Sequence, residues 1–188
     1  MNMQNHLGRV SLVVLGLALL VVIPGNSAAK GFFKIGEVAP SFTLTSVTGE
    51  TVSLTDFRGK VVVLGLFHIC EPCLIQGTNL QKVQEATRGK NVVVLGVNSS
   101  GDSRSDVLEF LQAFPVTVTY PYLLDPDKIT DRLYGGGRFI PNVYVIDQQG
   151  VIRWQRVGNM DLASDQAILE VVDRLLAEEA SSGRTPSL

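Results

Sequence analysis

Cysteine is nearly absent from this chain: 188 residues carry two, and both lie in the tetrapeptide Cys70-Glu71-Pro72-Cys73. A bridge between them closes a very short loop and gains little loop entropy, so a structural staple is a poor reading. Histidine is as scarce, at two, and His6 lies far from His68 in an N-terminal apolar segment. No distant histidine is therefore left to complete a metal site with the thiols. There is no basic tract and no aromatic–basic interleaving, which excludes a nucleic-acid binder. The 16 basic and 18 acidic residues leave a net charge of −2, too small to name a partner. No G-x-x-x-x-G-K-[ST] pattern occurs, so Gly135-Gly136-Gly137 reads as a flexible lead into a proline turn, not a phosphate loop. The single tryptophan, Trp154, sits in an alternating strand pattern and reads as packing or surface cover. No internal repeat or second domain is visible, and 45% hydrophobic with 18% charged residues suits one globular domain.

The first 29 residues read as an export signal. No acid occurs before Glu37, Arg9 supplies a positive start, and Val10 to Ile23 is an apolar or small stretch of 14 residues. Pro24-Gly25-Asn26 breaks it, and Ser27-Ala28-Ala29 offers the small residues a signal peptidase needs. Cleavage after Ala29 leaves a chain starting at Lys30, with 15 basic against 18 acidic residues and a net charge of −3. The competing reading is an uncleaved anchor. Fourteen helical residues rise about 21 Å, short of a hydrocarbon core of roughly 30 Å. Either reading places the bulk of the protein outside the cytoplasm, in the periplasm or on the outer face of the membrane. No cysteine follows the stretch to carry a lipid.

Local patterns order the remainder. Ser41 to Thr45 and Thr51 to Leu54 read as a hairpin turned at Thr48-Gly49-Glu50. Asp56 to Lys60 turns into Val61 to Phe67, a run without a polar side chain that predicts a strand buried on both faces. A helix is predicted from about Pro72 to Arg88, with Leu74, Ile75, Leu80 and Val83 as its apolar residues and Gly89 as its stop. Asn91 to Asn98 is a second buried strand, completing a right-handed βαβ unit. Asp102 or Ser103 caps a helix from Ser105 to Phe114. Val116 to Tyr120 reads as a short strand or extended segment continued by Pro121 to Leu124, with a short helix reaching Tyr134. Asn142 to Asp147 and Val151 to Arg156 form a hairpin, and a helix from about Ala163 to Ala180 closes the domain. Its Ile168, Leu169, Val172, Leu175 and Leu176 fall at helical spacing and read as a core face rather than a dimer seam. The domain so bounded runs from 36 to 180, with 181–188 a disordered tail.

The chemistry sits at the junction of the first buried strand and the helix after it. Two thiols at C-x-x-C spacing make a two-electron switch that opens and closes. A thiolate at Cys70 lies at the helix N-terminus, where unpaired N–H groups and the dipole stabilise negative charge. Cys73 lies one turn on and can resolve a mixed disulfide. Pro72 suits the first turn, and Glu71 opposes a Cys70 thiolate by like charge. A resolving thiol needs a proton acceptor, for which His68 is one candidate against a simpler role in packing the site rim. The expected activity is thiol–disulfide oxidoreduction, with no cofactor and no metal.

This order of elements resembles the thioredoxin fold, and more narrowly the exported TlpA/ResA-type branch of the redoxin superfamily. The residues that carry the likeness are Gly36 to Leu44, Asp56-Phe57-Arg58-Gly59-Lys60-Val61-Val62-Val63, the C-x-x-C, and Phe139-Ile140-Pro141 followed by Tyr144-Val145-Ile146-Asp147. The resemblance implies an α/β thioredoxin-like fold: a central mixed sheet flanked by helices, with an N-terminal β-hairpin and a central β/α insert. It also implies a cis bond before Pro141, a substrate chain pairing with the backbone of Ile140, and protection of the thiols from metals by that proline. Protein disulfides, among them those of apocytochrome c, are the implied substrates, with a membrane thiol carrier as electron donor. Departures are specific: Ile69 stands where tryptophan is common, Asn142 follows the proline in place of threonine, and Gln76 stands where some relatives carry glutamate.

Two other classes share parts of this pattern. A peroxiredoxin shares the opening and strand motifs, but it places a threonine three residues before the attacking cysteine, where Phe67 stands, and a proline earlier in that loop. A copper-handling protein would use Cys70, Cys73 and His68 as soft ligands.

Overall fold

The computed structural model describes residues 35–134, 140–158 and 162–182. The export signal, the triple glycine at 135–137, Phe139 and the tail beyond 182 lie outside the described residues. β1 (Thr43–Ser46) and β2 (Thr51–Ser53) form the hairpin, and Leu54–Phe57 turns as a 3-10 helix into β3 (Val61–Phe67). There follow α1 (Glu71–Ala86), β4 (Val92–Asn98), α2 (Arg104–Gln112), β5 (Tyr122–Leu124), α3 (Ile129–Leu133), β6 (Asn142–Ile146), β7 (Ile152–Val157) and α4 (Asp165–Ser182). One mixed sheet runs in the order β2-β1-β5-β4-β3-β6-β7. β3 pairs parallel with β4 and antiparallel with β6, so it is central, and every residue of it is buried. That matches a strand without polar side chains, which can only lie between two covered faces.

Alternation along β3 divides the core. Val61, Val63 and Phe67 enter the cluster beneath α1 and α4, while Val62, Leu64 and Leu66 enter a second cluster with Tyr134 and Tyr144. In α4, Ile168, Val172 and Leu175 are fully buried, so this stripe is core face. Trp154 packs half-buried against the first cluster with the Arg156 guanidinium 5.5 Å from its ring centroid.

One local expectation needs correction, and two that left alternatives open are decided. Ile75 is 51% exposed, and the buried face of α1 is Cys73, Gln76, Gly77, Leu80, Gln81 and Val83. The helix phase is set by Cys73 and by two glutamines that find buried partners, which outweighs one isoleucine. Val116 to Tyr120 forms no strand; the Gln81 side chain accepts from Thr119 N at 2.8 Å and takes the place of a ladder partner. Ser103, not Asp102, caps α2, accepting from Asp106 N at 3.2 Å. The insert of α2, β5 and α3 has a consequence for the hairpin: β1 pairs with β5, Thr45 against Leu124, and so joins the main sheet through it.

Candidate functional site

β3 delivers the chain to the sheet's carboxyl edge, and α1 starts there. Cys70 is the N-cap residue in an extended conformation (φ −156°, ψ 155°), and its carbonyl accepts from Cys73 N at 3.1 Å and Leu74 N at 3.2 Å. Glu71 is exposed at the first helical position, with Pro72 after it. A disulfide joins Cys70 to Cys73 across a Cα–Cα distance of 5.2 Å. The two sulfurs are unequally placed: Cys73 is 0% exposed in the core beneath α1, whereas Cys70 is half-buried at its margin.

The Ile140–Pro141 bond is cis. Leu66 faces Asn142 in the β3–β6 ladder, which puts Pro141 level with Phe67 at the strand end feeding the C-x-x-C. Pro141 is buried, its carbonyl accepts from Gly158 N at 3.0 Å, and Ile140 is half-buried against both core clusters. Ile69, which replaces the common tryptophan, is 44% exposed.

Gln76 is committed elsewhere. Its amide donates to Ala163 O at 2.9 Å and accepts from Ala163 N at 2.8 Å, and Asn79 donates to the same carbonyl at 3.0 Å. A neutral amide both donates and accepts, which a carboxylate in the same place could not do. Gln76 therefore ties α1 to the segment entering α4 and does not serve as the proton acceptor.

His68 is half-buried past the end of β3, and its Nε2 has no hydrogen-bond partner among the described residues. Burial holds the imidazole below its ordinary pKa, outweighing the upward pull of Asp131 and Asp102, and Lys128 adds to the lowering. Burial also acts on Asp102, but hydrogen bonds from Ser100 and Asn98, with His68 and Lys128, bring its carboxyl below the usual range. His68, Cys70 and Cys73 form no metal-holding group among the described residues.

The AhpC/TSA family pattern matches residues 35–155. The chain belongs to the AhpC/TSA family. It is similar to thiol-disulfide oxidoreductase ResA of Geobacillus thermodenitrificans, at 28% identity over 151 residues covering 77% of this chain and 84% of that one. The thioredoxin-like protein YneN of Bacillus subtilis is 32% identical over 127 residues, covering 66% and 72%. Among solved structures, a DsbF homologue from Corynebacterium diphtheriae matches with a TM-score of 0.62 at 29% identity, covering 81% of this chain and 96% of that chain. The thioredoxin-like fold and the ResA-type resemblance stand on these relatives. Together with the paired Cys70 and Cys73 they make this chain a thiol–disulfide oxidoreductase.

Sequence reasoning located Cys70, Cys73, Ile140, Pro141 and His68 around one sheet edge. It missed Asp131 and the Gln76–Ala163 clasp. Only the departure at Gln76 from relatives with glutamate signalled the clasp, and nothing in the local sequence signalled Asp131.

Proposed function

We propose that this family member is an exported reductase of protein disulfides, with Cys70 as the attacking thiol and Cys73 as the resolving thiol. The observation that carries the assignment is the asymmetry of burial: a substrate sulfur reaches Cys70 at the helix cap and cannot reach Cys73. The Cys70 thiolate attacks one substrate sulfur, forming a mixed disulfide as the other sulfur leaves. Cys73, deprotonated, then attacks Cys70, re-forming the internal disulfide and releasing the second substrate sulfur. Two electrons pass to the substrate, and the two thiol protons end on its sulfurs.

Two further features support a polypeptide substrate. No backbone hydrogen bond engages Ile140 among the described residues, so a chain laid against the cis-proline turn can pair with it. Ile69 and Ile75, among the few large exposed apolar residues, flank the disulfide and suit apolar side chains of an unfolded segment. Glu71 and Pro72 between them tune the pair. By the resemblance, apocytochrome c is the proposed substrate and a membrane thiol carrier the donor. Export rests on the segment 1–29, cleaved or kept as a tether; among the described residues no helix is long and apolar enough to cross a membrane.

The test is reduction of an oxidised peptide bearing two haem-attachment cysteines, together with the pair's potential. A potential of about −270 mV and a Cys73→Ala variant trapped as a mixed disulfide support the reading, whereas a value of about −120 mV overturns the reductase direction. Hydrogen peroxide consumption that depends on Cys70 and outpaces disulfide reduction would instead favour the peroxidase reading.

A further inference from the structure

Three buried polar atoms near the C-x-x-C have no hydrogen-bond partner among the described residues: His68 Nε2, Asp131 Oδ1 and Asn142 Oδ1. His68 and Asn142 lie on one face of the sheet, and Asp131 belongs to α3, whose end packs on that face. Val62, Leu64 and Leu66 of β3 point to the face opposite α1, and His68, two residues further, continues that row. Leu66 is paired with Asn142, so His68 and Asn142 are diagonal neighbours. Asn142 is 1% exposed, and Tyr144, two residues on, points the same way.

α3 covers this face. The rings of Tyr134 and Tyr144 meet edge-on at 5.1 Å between centroids, and Tyr144 Oη donates to Tyr134 O at 3.2 Å. Asp131 lies one turn before Tyr134. The helix is fixed at its start by the fully buried Asp125, which accepts from Ile129 N at 2.8 Å, Thr130 N at 2.7 Å and Thr130 Oγ1 at 2.6 Å.

Three charged groups act electrostatically on His68 at the end of β3: Asp102 from the loop after β4, and Lys128 and Asp131 from the insert. Asp102 is already engaged, with Asn98 Nδ2 at 2.8 Å and with the Ser100 hydroxyl. Lys128, in a left-handed conformation (φ 53°), lays its side chain across Gly101. Asp131 retains an unfilled acceptor and is the strongest charge acting on His68. An imidazole N–H donates, and the two oxygens only accept. Unsatisfied buried groups are individually costly, so three collected beside a reactive pair call for a shared role.

We propose that His68 and Asp131 form an acid–base couple closed by Asn142 through one shared water, in which Asp131 is a positioning residue that orients His68 and favours a proton on it when the Cys70 thiolate forms. The proposal deepens the assignment of Cys70 as attacking thiol and rests on it. When Cys70 loses its proton, the new negative charge two residues away strengthens proton binding at His68, and the imidazolium in turn favours the thiolate. The coupling is reciprocal. Asp131 biases that exchange toward the charged histidine, and burial biases it against.

The experiment is an NMR titration of the His68 ring in the whole protein, oxidised and reduced, with the resonance identified by its loss in His68→Gln. Only His6 can be confused with it. The couple requires that His68 titrate higher in the reduced protein, and that Asp131→Asn lower it by about half a pH unit or more. Alkylation of Cys70 by iodoacetamide should show a matching inflection that is absent in His68→Gln. A His68 titration that is identical in the two redox states overturns the proposal without any variant, and one unmoved by Asp131→Asn overturns the role of Asp131. Insulin reduction is followed in parallel. A protein showing both shifts but reducing no disulfide loses the reductase reading and keeps the couple; one that reduces insulin with neither shift loses the couple alone.

Discussion

The face beneath α1 and the carboxyl edge of the opposite face treat buried polar groups differently. On the face beneath α1, Gln76 is matched to both backbone atoms of Ala163, Gln81 bonds to Thr119 and Glu85, and Thr87 donates to Val83 O. The Tyr122 hydroxyl is one exception on that side among the described residues. On the opposite face, at the carboxyl edge, His68, Asp131 and Asn142 each leave a buried atom unmatched. A matched polar group fixes one geometry and builds scaffold. An unmatched one stores hydrogen-bonding capacity, and here that capacity lies at the sheet edge that leads into the disulfide.

Gln76→Glu is the strongest way to break the matched face. The new side chain, when ionised, cannot donate to Ala163 O and puts a charge in a site 1% exposed, and keeping it neutral there costs a proton. A loss of about 3 kcal/mol in urea unfolding is expected; an unchanged midpoint would mean that the clasp carries little. Gly77→Ala tests the same face through packing. An added Cβ there enters the Phe114 ring and comes within 3.1 Å of Tyr120 Oη, whose hydroxyl donates to Gly77 O at 3.2 Å. The expected cost is about 2 kcal/mol, read in the same melt.

Asn142→Leu probes the other face with the opposite expectation. Removing an unmatched buried oxygen leaves stability within about 1 kcal/mol of the parent, or raises it, at similar volume. A loss as large as that of Gln76→Glu would erase the contrast between the faces. The smallest effect is the pH dependence carried by His68. Burial lowers its folded pKa, so the stability held by the neutral ring is complete above the unfolded value near about 6.5 and is lost as pH falls through the folded one. His68→Gln should flatten that limb of a stability–pH curve, and an unaltered curve would show that the ring is not held neutral by the fold.

Much of the scaffold was legible because its signals are local. β3 was readable to the residue, since seven apolar residues in succession permit only a strand covered on both sides. The hairpin turn at Thr48-Gly49-Glu50 and the start of α1 after Cys70 follow from turn and cap chemistry in the same way. Ile75 was misread, and Val116 to Tyr120 was left open between strand and extended segment, because helix phase and strand pairing depend on partners far along the chain. Gln81 and Thr119 are 38 residues apart, and Gln76 and Ala163 are 87. No window of sequence contains both members of such a pair.

The amino-acid order alone set the reactive dithiol at the mouth of a helix and the apolar strand that leads to it, because spacing and hydrophobic runs act within a few residues. Which sulfur meets solvent, why Gln76 is a clasp, and how an aspartate from the insert comes to act on His68 were decided only when distant segments packed together. Burial and charge pairing are properties of that packing, and they arise from distances through space rather than along the chain.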